Sequence, residues 1–246
     1  MHLPGHFHPS TIVPRMAADS EDTVARSLHD RGEKAPERDP AREAPEAMAT
    51  GRLETFADGV FAIAITLLVL QIRVPPAGTD LGRELVAEWP SFVAYVASFL
   101  SIGIMWVNHH RLFLLVRRAS ATFLMINVLF LMAVSFLPFP TAVLAIHVVE
   151  PAGQLVATLL YGGTMIVIAV MFNVLWLYAA GPGHLLRGDV DTARLRMGTS
   201  RFVLGPLVYL AITLLAFIQP LLSLGAFTAF ALYWLLPGSG PYRAVE

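Results

Sequence analysis

Arg52 and Asp58 are two ionisable residues at the start of a long apolar stretch, and charged groups in such a position usually mark function. The residues after Asp58 continue to Leu70 without another charged side chain. An unpaired carboxylate at bilayer depth costs about 2.5–3.5 kcal/mol even on a lenient insertion scale. We therefore expect Asp58 either to hydrogen-bond to another helix or subunit, or to lie solvated among the lipid headgroups.

A second set of polar side chains ends the next apolar stretch, where the sequence reads Trp-Val-Asn-His-His-Arg. An indole N–H donates hydrogen bonds, and amide and imidazole groups donate or accept them. We therefore expect the partners of Asp58 to come from this set, which comprises Trp106, Asn108, His109, His110 and Arg111.

The same histidines raise the question of a metal centre or an enzyme. A zinc site needs about three or four ligands, and no further histidine is evident at the level of His109 and His110. The sequence also has no Gly-x-Ser-x-Gly, His-Glu-x-x-His or phosphate-binding loop. We therefore expect no metal, no cofactor and no catalytic residue.

The composition places these residues in a membrane protein. Hydrophobic residues make up 56% of the chain and charged residues only 14%, whereas soluble domains contain about 25% charged residues. The chain has no cysteine, which excludes disulfides, thiolate metal sites and cysteine nucleophiles. The net charge of -1 points to no polyanionic partner, so we expect the lipid bilayer, and no nucleic acid, as its surroundings.

A spanning helix needs about 20 apolar residues, and the sequence predicts an all-α protein with six of them. The predicted spans are about 54–74, 90–108, 120–145, 153–179, 201–219 and 221–236. Residues 1–50 are proline-rich and of mixed charge, which predicts a disordered cytoplasmic tail. Residues 51–237 then form one transmembrane domain, and 238–246 form a short cytoplasmic tail.

Basic residues predict the orientation, because cytoplasmic loops carry an excess of arginine and lysine. The loops predicted after the second and fourth spans hold Arg111, Arg117, Arg118, Arg187, Arg194, Arg196 and Arg201. The opposite loops hold only Arg73 and Arg83. This bias predicts a multi-pass protein of the cell membrane with both termini in the cytoplasm.

One of the outer loops, residues 75–89, is predicted to contain a short interfacial helix that starts at Leu81 and is capped by Asp80.

The first span has a distinct face at helical spacing. Ile63, Thr66, Leu67 and Leu70 follow the i, i+3, i+4, i+7 pattern and share one side of a helix. Asp58 lies about 140° around the helix from Ile63 at 100° per residue. Periodicity alone leaves two interpretations of the face open, namely ordinary helix packing or the lining of a pore.

The first two spans resemble those of a known family. Arg52-x3-Phe56-Ala57-Asp58 and the apolar residues after it are similar to the first helix of the transmembrane protein 175 family, which includes the endosomal and lysosomal potassium channel. The family motif is Arg-x3-Phe-Ser-Asp, so Ala57 replaces its serine. The run Trp106-x-x-His109-His-Arg resembles the family's second helix, and the resemblance covers roughly residues 50–236.

This resemblance implies a potassium-permeable cation channel assembled as a homotetramer, with the first helix of each subunit around a central pore. It implies an apolar constriction at Ile63, a polar layer at Thr66, and Leu67 and Leu70 along the same pore wall. It also implies a network of motif residues that holds the first helices in register. The members of this network are Arg52, Phe56, Asp58, Trp106, Asn108, His109 and His110. Since the sequence has no Thr-Val-Gly-Tyr-Gly filter, carbonyl-ring selectivity is not expected.

Two alternatives to a channel remain open, a secondary transporter and a non-conducting membrane scaffold. Transporters place ionisable residues and broken helices near the middle of the membrane. Here the polar insertions in the middle of spans are mainly Asn127 and Asn173, which can hydrogen-bond between helices. A voltage sensor needs an arginine-rich span, and none of the six predicted spans has one.

Overall fold

The computed structural model describes the backbone of residues 40–181, 185–186 and 192–234, with side chains at 50–181, 185–186 and 202–234. The chain divides into two compact units, Met1–Glu43 and Ala44–Glu246. Nearly all of the first unit lies outside the described residues, so the described fold is that of the second unit.

The regular secondary structure in the described part of the chain is helical, apart from an isolated antiparallel bridge between Val116 and Leu186. A single turn of 3₁₀ helix covers Leu215–Phe217. The α-helices, in chain order, are α1 Pro40–Val69, α2 Leu81–Ala87, α3 Trp89–Leu115, α4 Ala121–Phe136, α5 Pro138–His147, α6 Gln154–Ala180, α7 Thr192–Leu214 and α8 Pro220–Tyr233.

Within these described ranges, three stretches are long and apolar enough to cross a membrane. They are Trp89–Leu115, Ala121–His147 and Gln154–Ala180. The helical stretches Phe202–Phe217 and Pro220–Tyr233 are apolar but shorter. The all-helical membrane fold predicted from composition is therefore confirmed, and the count of six spans stays a prediction.

Several predicted boundaries were wrong. The first helix ends at Val69 rather than at residue 74, and the second continues past residue 108 to Leu115. The third span agrees with its prediction: it covers Ala121–His147 and is interrupted at Leu137, because Pro138 lacks a backbone N–H and starts a new helix. Helix α1 begins at Pro40, inside the segment that the composition predicts to be a tail.

The arginines also lie differently from the prediction. Arg111 belongs to α3 rather than to the loop that follows it. Residues 194, 196 and 201 belong to α7, which starts at Thr192. The orientation that these arginines indicate stays a prediction. Arg187 lies outside the described residues.

Side-chain capping explains where two helices start. The Asp80 carboxylate accepts a hydrogen bond from the backbone N–H of Arg83 at 3.3 Å, which confirms the short helix predicted from Leu81. The Ser120 hydroxyl accepts in the same way from Phe123 N–H at 3.2 Å and starts α4.

The core lies around α6, which contacts α4, α5, α7 and α8. Buried polar groups join the helices there. The Ser98 hydroxyl bonds to Thr141 at 2.9 Å and to Tyr161 at 3.1 Å. Helices α6 and α7 approach so closely at Gly162 that a Cβ atom there would overlap the side chain of Thr213.

Candidate functional site

Helix α1 packs against the rest of the chain through one apolar stripe. Ala57, Phe61, Ala64 and Leu68 are buried, and their spacing of four, three and four residues places them on one side of the helix. The Phe61 ring packs edge-on against His109 with centroids 5.5 Å apart, and lies 6.1 Å from the ring of Phe130. This stripe orients α1 and leaves the opposite side outside the subunit core.

The face predicted as a possible pore lining is that outer side. Ile63 is 61% exposed, Leu70 is 73% exposed and Leu67 is 39% exposed, and Thr66 is exposed as well. At 100° per residue, Ile63, Thr66 and Leu70 lie about 130–170° from the centre of the buried stripe. Ile63, Thr66 and Leu70 therefore lie outside the core of their own chain, and the choice between helix packing and pore lining stays open for them.

Thr66 has an arrangement that matters for cation chemistry. Its hydroxyl donates to the carbonyl oxygen of Ile63 at 2.9 Å. A hydroxyl has one hydrogen to donate and two lone pairs that accept. Since the hydrogen is directed at the helix backbone, the oxygen presents acceptor lone pairs to the exterior.

Asp58 is bound to α3 through Trp106. The indole Nε1 donates to Asp58 Oδ1 at 2.8 Å. Trp106 was among the candidate partners predicted for Asp58. The contact joins α1 to α3. Asp58 lies beside the buried stripe on the surface of α1.

One turn along, a second contact connects the same two helices. His110 Nδ1 lies 2.5 Å from Glu54 Oε1, with both side chains partly exposed. The rings of Trp106 and His110 stack with centroids 6.3 Å apart and planes inclined by 24°. Sequence reasoning missed Glu54, although its position four residues before Asp58 places both carboxyl groups on one side of α1.

His109 does not face Asp58 as the predicted network implied. It is fully buried and its Nε2 lies 2.8 Å from Asn127 Oδ1 on α4. Phe113 and Phe130 stack on the imidazole, with centroids 4.5 Å and 5.7 Å away. His109 therefore links α3 to α4, and Asn127 has the interhelical role that its place in the span predicted.

The remaining motif residues are dispersed. Arg52 and Phe56 are exposed on the same side of α1 as Ile63. Asn108 is half-buried and lines a cavity between α3, α6, α7 and α8. Ala57, which stands at the serine position of the motif, is fully buried in the stripe. The structure thus brings together Asp58, Trp106 and His110, but not the whole predicted set.

Among the described side chains, no three of the types His, Cys, Asp and Glu are grouped closely enough to hold a metal ion. Asp58, Glu54 and His109 each bond to a side chain on another helix. The arrangement can fix the position of α1 and expose one continuous strip of it.

Known proteins are similar in sequence to this chain. The family model described as "Endosomal/lysosomal potassium channel TMEM175" matches residues 52–138. A potassium channel of Chamaesiphon minutus is 45% identical over 198 residues, which is 79% of this chain and 97% of that protein. A potassium channel of Streptomyces collinus is 46% identical over 187 residues, covering 75% of this chain and 91% of that protein.

The likeness extends to three dimensions. The crystal structure of a lysosomal potassium-selective channel TMEM175 homologue from Chamaesiphon minutus superposes with a TM-score of 0.69 at 43% identity. That match covers 76% of this chain and 97% of the other. The human endosomal/lysosomal proton channel TMEM175 is 40% identical over 103 residues, but these represent only 20% of its length.

Proposed function

This chain belongs to the TMEM175 family, and from that premise we propose that it is a potassium-permeable channel whose pore is lined by α1 from several subunits. As a member of this family it is a cation channel of the membrane and not an enzyme, and it needs no cofactor. The observation that carries the proposal is the exposure of Ile63, Thr66 and Leu70 opposite the stripe that holds α1 to its subunit.

The exposed strip supports an assembly of several copies. A single α1 helix cannot enclose an ion path, so the strip can line a pore only when copies of the chain surround a common axis. We propose four copies, the number implied by the resemblance to bacterial members of the family. In such a homotetramer the buried stripes face outward into each subunit, and the strips of α1 face one another.

Ile63 then forms the apolar constriction. A ring of large apolar side chains excludes a hydrated ion when the passage is narrow, and such a constriction gates by dewetting. Ile63 is suited to this role because its side chain is 61% exposed and does not fold against its own subunit. Leu67 and Leu70 continue the apolar wall on the same strip.

Thr66 forms the polar layer beside this constriction. Its hydroxyl hydrogen is directed at the Ile63 carbonyl, which leaves the oxygen lone pairs facing the axis. Four such oxygens replace part of the water shell of a cation. This layer favours potassium over sodium modestly, because potassium loses its hydration water more easily.

The polar contacts of α1 act as positioning groups. Trp106 holds Asp58 at 2.8 Å, and His110 holds Glu54, so two contacts one turn apart fix the rotation of α1 on α3. A change in that rotation turns Ile63 and Thr66 away from the axis. Arg52 and Phe56, which are exposed on the outer side, are available to contact neighbouring subunits.

Ion flux into proteoliposomes tests the proposal. Vesicles with purified protein should take up potassium in preference to sodium. The rate of potassium flux should keep rising with potassium concentration, whereas flux through a transporter would reach a maximum. Protein-free vesicles give the background. Absence of cation flux from correctly assembled protein would show a non-conducting scaffold, and saturable flux would show a transporter.

The oligomer is tested separately. Light scattering of the protein in detergent should give the mass of four chains after the detergent is subtracted. Because the chain has no cysteine, a single Leu70→Cys substitution supplies a unique thiol on the strip. A water-soluble thiol reagent should block flux through this variant and leave the wild type unaffected.

A further inference from the structure

Arg117 and Arg118 lie in the short connection between α3 and α4, and both side chains are exposed. Residues 116–120 separate the last residue of α3 from the first residue of α4. The stretches on either side, Trp89–Leu115 and Ala121–His147, are both long and apolar enough to cross a membrane. Because the connection between them is so short, the two arginines lie at the level of the lipid headgroups.

The backbone of this connection is fixed by the segment that follows α6. Val116 forms an antiparallel bridge with Leu186, and the backbone N–H of Arg117 donates to the carbonyl oxygen of Leu185 at 2.8 Å. The side chains of Val116 and Leu185 are buried. The connection is therefore anchored in the apolar core, and it presents the two guanidinium groups together at one place on the surface.

Within the described part of the chain, neither Arg117 nor Arg118 forms an ion pair with a carboxylate. Glu54 and Asp58 are the described carboxylates at this end of the helices, and both bond to side chains of α3. The positive charge of the two arginines is therefore not offset by these acidic groups.

The two ends of the helices differ in charge. Among the described side chains, and leaving histidine aside, the end with Arg117 has four arginines and two carboxylates, a net charge of +2. The opposite end has two arginines and four carboxylates, a net charge of -2. The charged residues are Arg52, Glu54, Asp58, Arg111, Arg117 and Arg118 at the first end, and Arg73, Asp80, Arg83, Glu84, Glu88 and Glu150 at the second.

Helix α4 adds to the positive region, because its N-terminus follows Arg118 within three residues. The N-terminal end of a helix has a partial positive charge from the aligned peptide dipoles. The first turn of α4 contains no acidic residue that would offset this charge.

We propose that Arg117 and Arg118 bind the headgroup of an anionic phospholipid in the leaflet at this end of the helices. A guanidinium group donates two parallel hydrogen bonds to a phosphate group, and basic residues beside a membrane attract anionic lipids. The net positive charge favours a headgroup with a net negative charge over a zwitterionic one, in which a cationic group offsets the phosphate. The site lies away from the exposed strip of α1, and its occupancy does not depend on ion conduction.

Thermal unfolding of the full-length protein in a neutral detergent, followed by tryptophan fluorescence, tests the site. The probes are dioctanoyl phosphatidylglycerol, which is anionic, dioctanoyl phosphatidylcholine, which has the same chains but is zwitterionic, and glycerol phosphate, which has no chains. Phosphatidylglycerol should raise the unfolding temperature to a plateau, and the other two compounds should have little effect. Added salt should weaken the response to phosphatidylglycerol, because it screens exposed charges.

The double substitution Arg117→Gln and Arg118→Gln removes both charges from the site. It should raise the phosphatidylglycerol concentration for half of the full effect about thirtyfold, the loss expected for two arginines at a membrane surface. The matched control, Arg73→Gln with Arg83→Gln, removes the same charge from the end at which carboxylates outnumber arginines, and it should respond like the wild type. Lysine at both positions 117 and 118 should preserve most of the response, because it keeps both charges.

Equal effects of phosphatidylglycerol and phosphatidylcholine on the wild-type protein would overturn the proposal, and this comparison needs no variant. No effect of phosphatidylglycerol would overturn it as well. A plateau reached with glycerol phosphate at similar concentrations would show a site for soluble anions instead of lipid. An unchanged response in the Arg117→Gln and Arg118→Gln protein, or an equal loss in the control protein, would show that the lipid binds elsewhere.

Discussion

The indole Nε1 of Trp106 donates to Asp58 Oδ1 at 2.8 Å and thereby joins the helix that carries the exposed strip to the helix behind it. An indole nitrogen can only donate, and an ionised carboxylate can only accept. The direction of this hydrogen bond is therefore fixed, with Trp106 as the donor and Asp58 as the acceptor. The contact adds to the buried stripe in restricting rotation of α1 about its own axis.

Trp106→Phe should lower the free energy of unfolding by about 1 kcal/mol. The substitution keeps an aromatic ring and removes the donor, and hydrogen bonds to charged groups contribute about 1.5–3 kcal/mol before solvent exposure reduces them. Asp58 is exposed, which gives the lower figure. Thermal unfolding in detergent measures the change.

The same substitution at the exposed Trp89 is the matched control and should have little effect. A double-mutant cycle with Asp58→Ala isolates the contact, since the second substitution should cost little once the first is present. Fully additive effects of the two substitutions would show that the contact contributes nothing.

Ile63→Asn should raise potassium flux several-fold or relax the preference for potassium over sodium. The amide makes the constriction wet, and dewetting is the barrier that an apolar ring provides. Flux into proteoliposomes gives the measurement. Ile146→Asn, at another exposed isoleucine on α5, introduces the same change elsewhere and should leave flux unchanged. Equal flux in the wild type and Ile63→Asn would refute the constriction at this residue.

Thr66→Val should reduce the preference for potassium, because valine has nearly the shape of threonine but no oxygen. Thr66→Ser keeps the oxygen and should behave like the wild type. Paired potassium and sodium flux assays distinguish the two variants. If valine and serine give the same selectivity, the hydroxyl has no part in it.

Asn127→Leu should lower the free energy of unfolding by about 1–3 kcal/mol, because it leaves the buried Nε2 of His109 without a partner. Combining it with His109→Phe should recover much of that loss, since replacing both polar partners by apolar groups of similar shape is nearly neutral. Denaturation of the single and double variants provides the comparison. A double variant less stable than Asn127→Leu would indicate a further role for the imidazole.

Gly162→Ala should destabilise the protein by about 1–3 kcal/mol through overpacking. The added Cβ would overlap the side chain of Thr213 on the neighbouring helix. Gly163→Ala is an adjacent control, since a Cβ there meets nothing within 4 Å, and alanine favours a helix by up to about 1 kcal/mol. Comparable stability of the two variants would mean that α6 and α7 do not approach as closely as the structure has it.

How far the sequence predicted the candidate site is clearest at Asp58 and His109. The sequence indicated that Asp58 needs a partner from the end of the second apolar stretch, because a carboxylate near lipid is costly and the candidate groups are few. It did not distinguish Trp106 from His109, which lies three residues away. In the folded chain Trp106 and His110 face α1, while His109 is directed at Asn127 on α4.

The sequence by itself determined the helical membrane class, the family and the shared face of Ile63, Thr66 and Leu70. Composition, motif spacing and 100° per residue depend only on the order of residues along the chain. Tertiary structure decided which face of α1 is buried, that Glu54 pairs with His110, and that His109 bonds to Asn127 on α4. These features depend on how each helix is rotated against its neighbours, and that rotation is set by packing between segments distant in sequence.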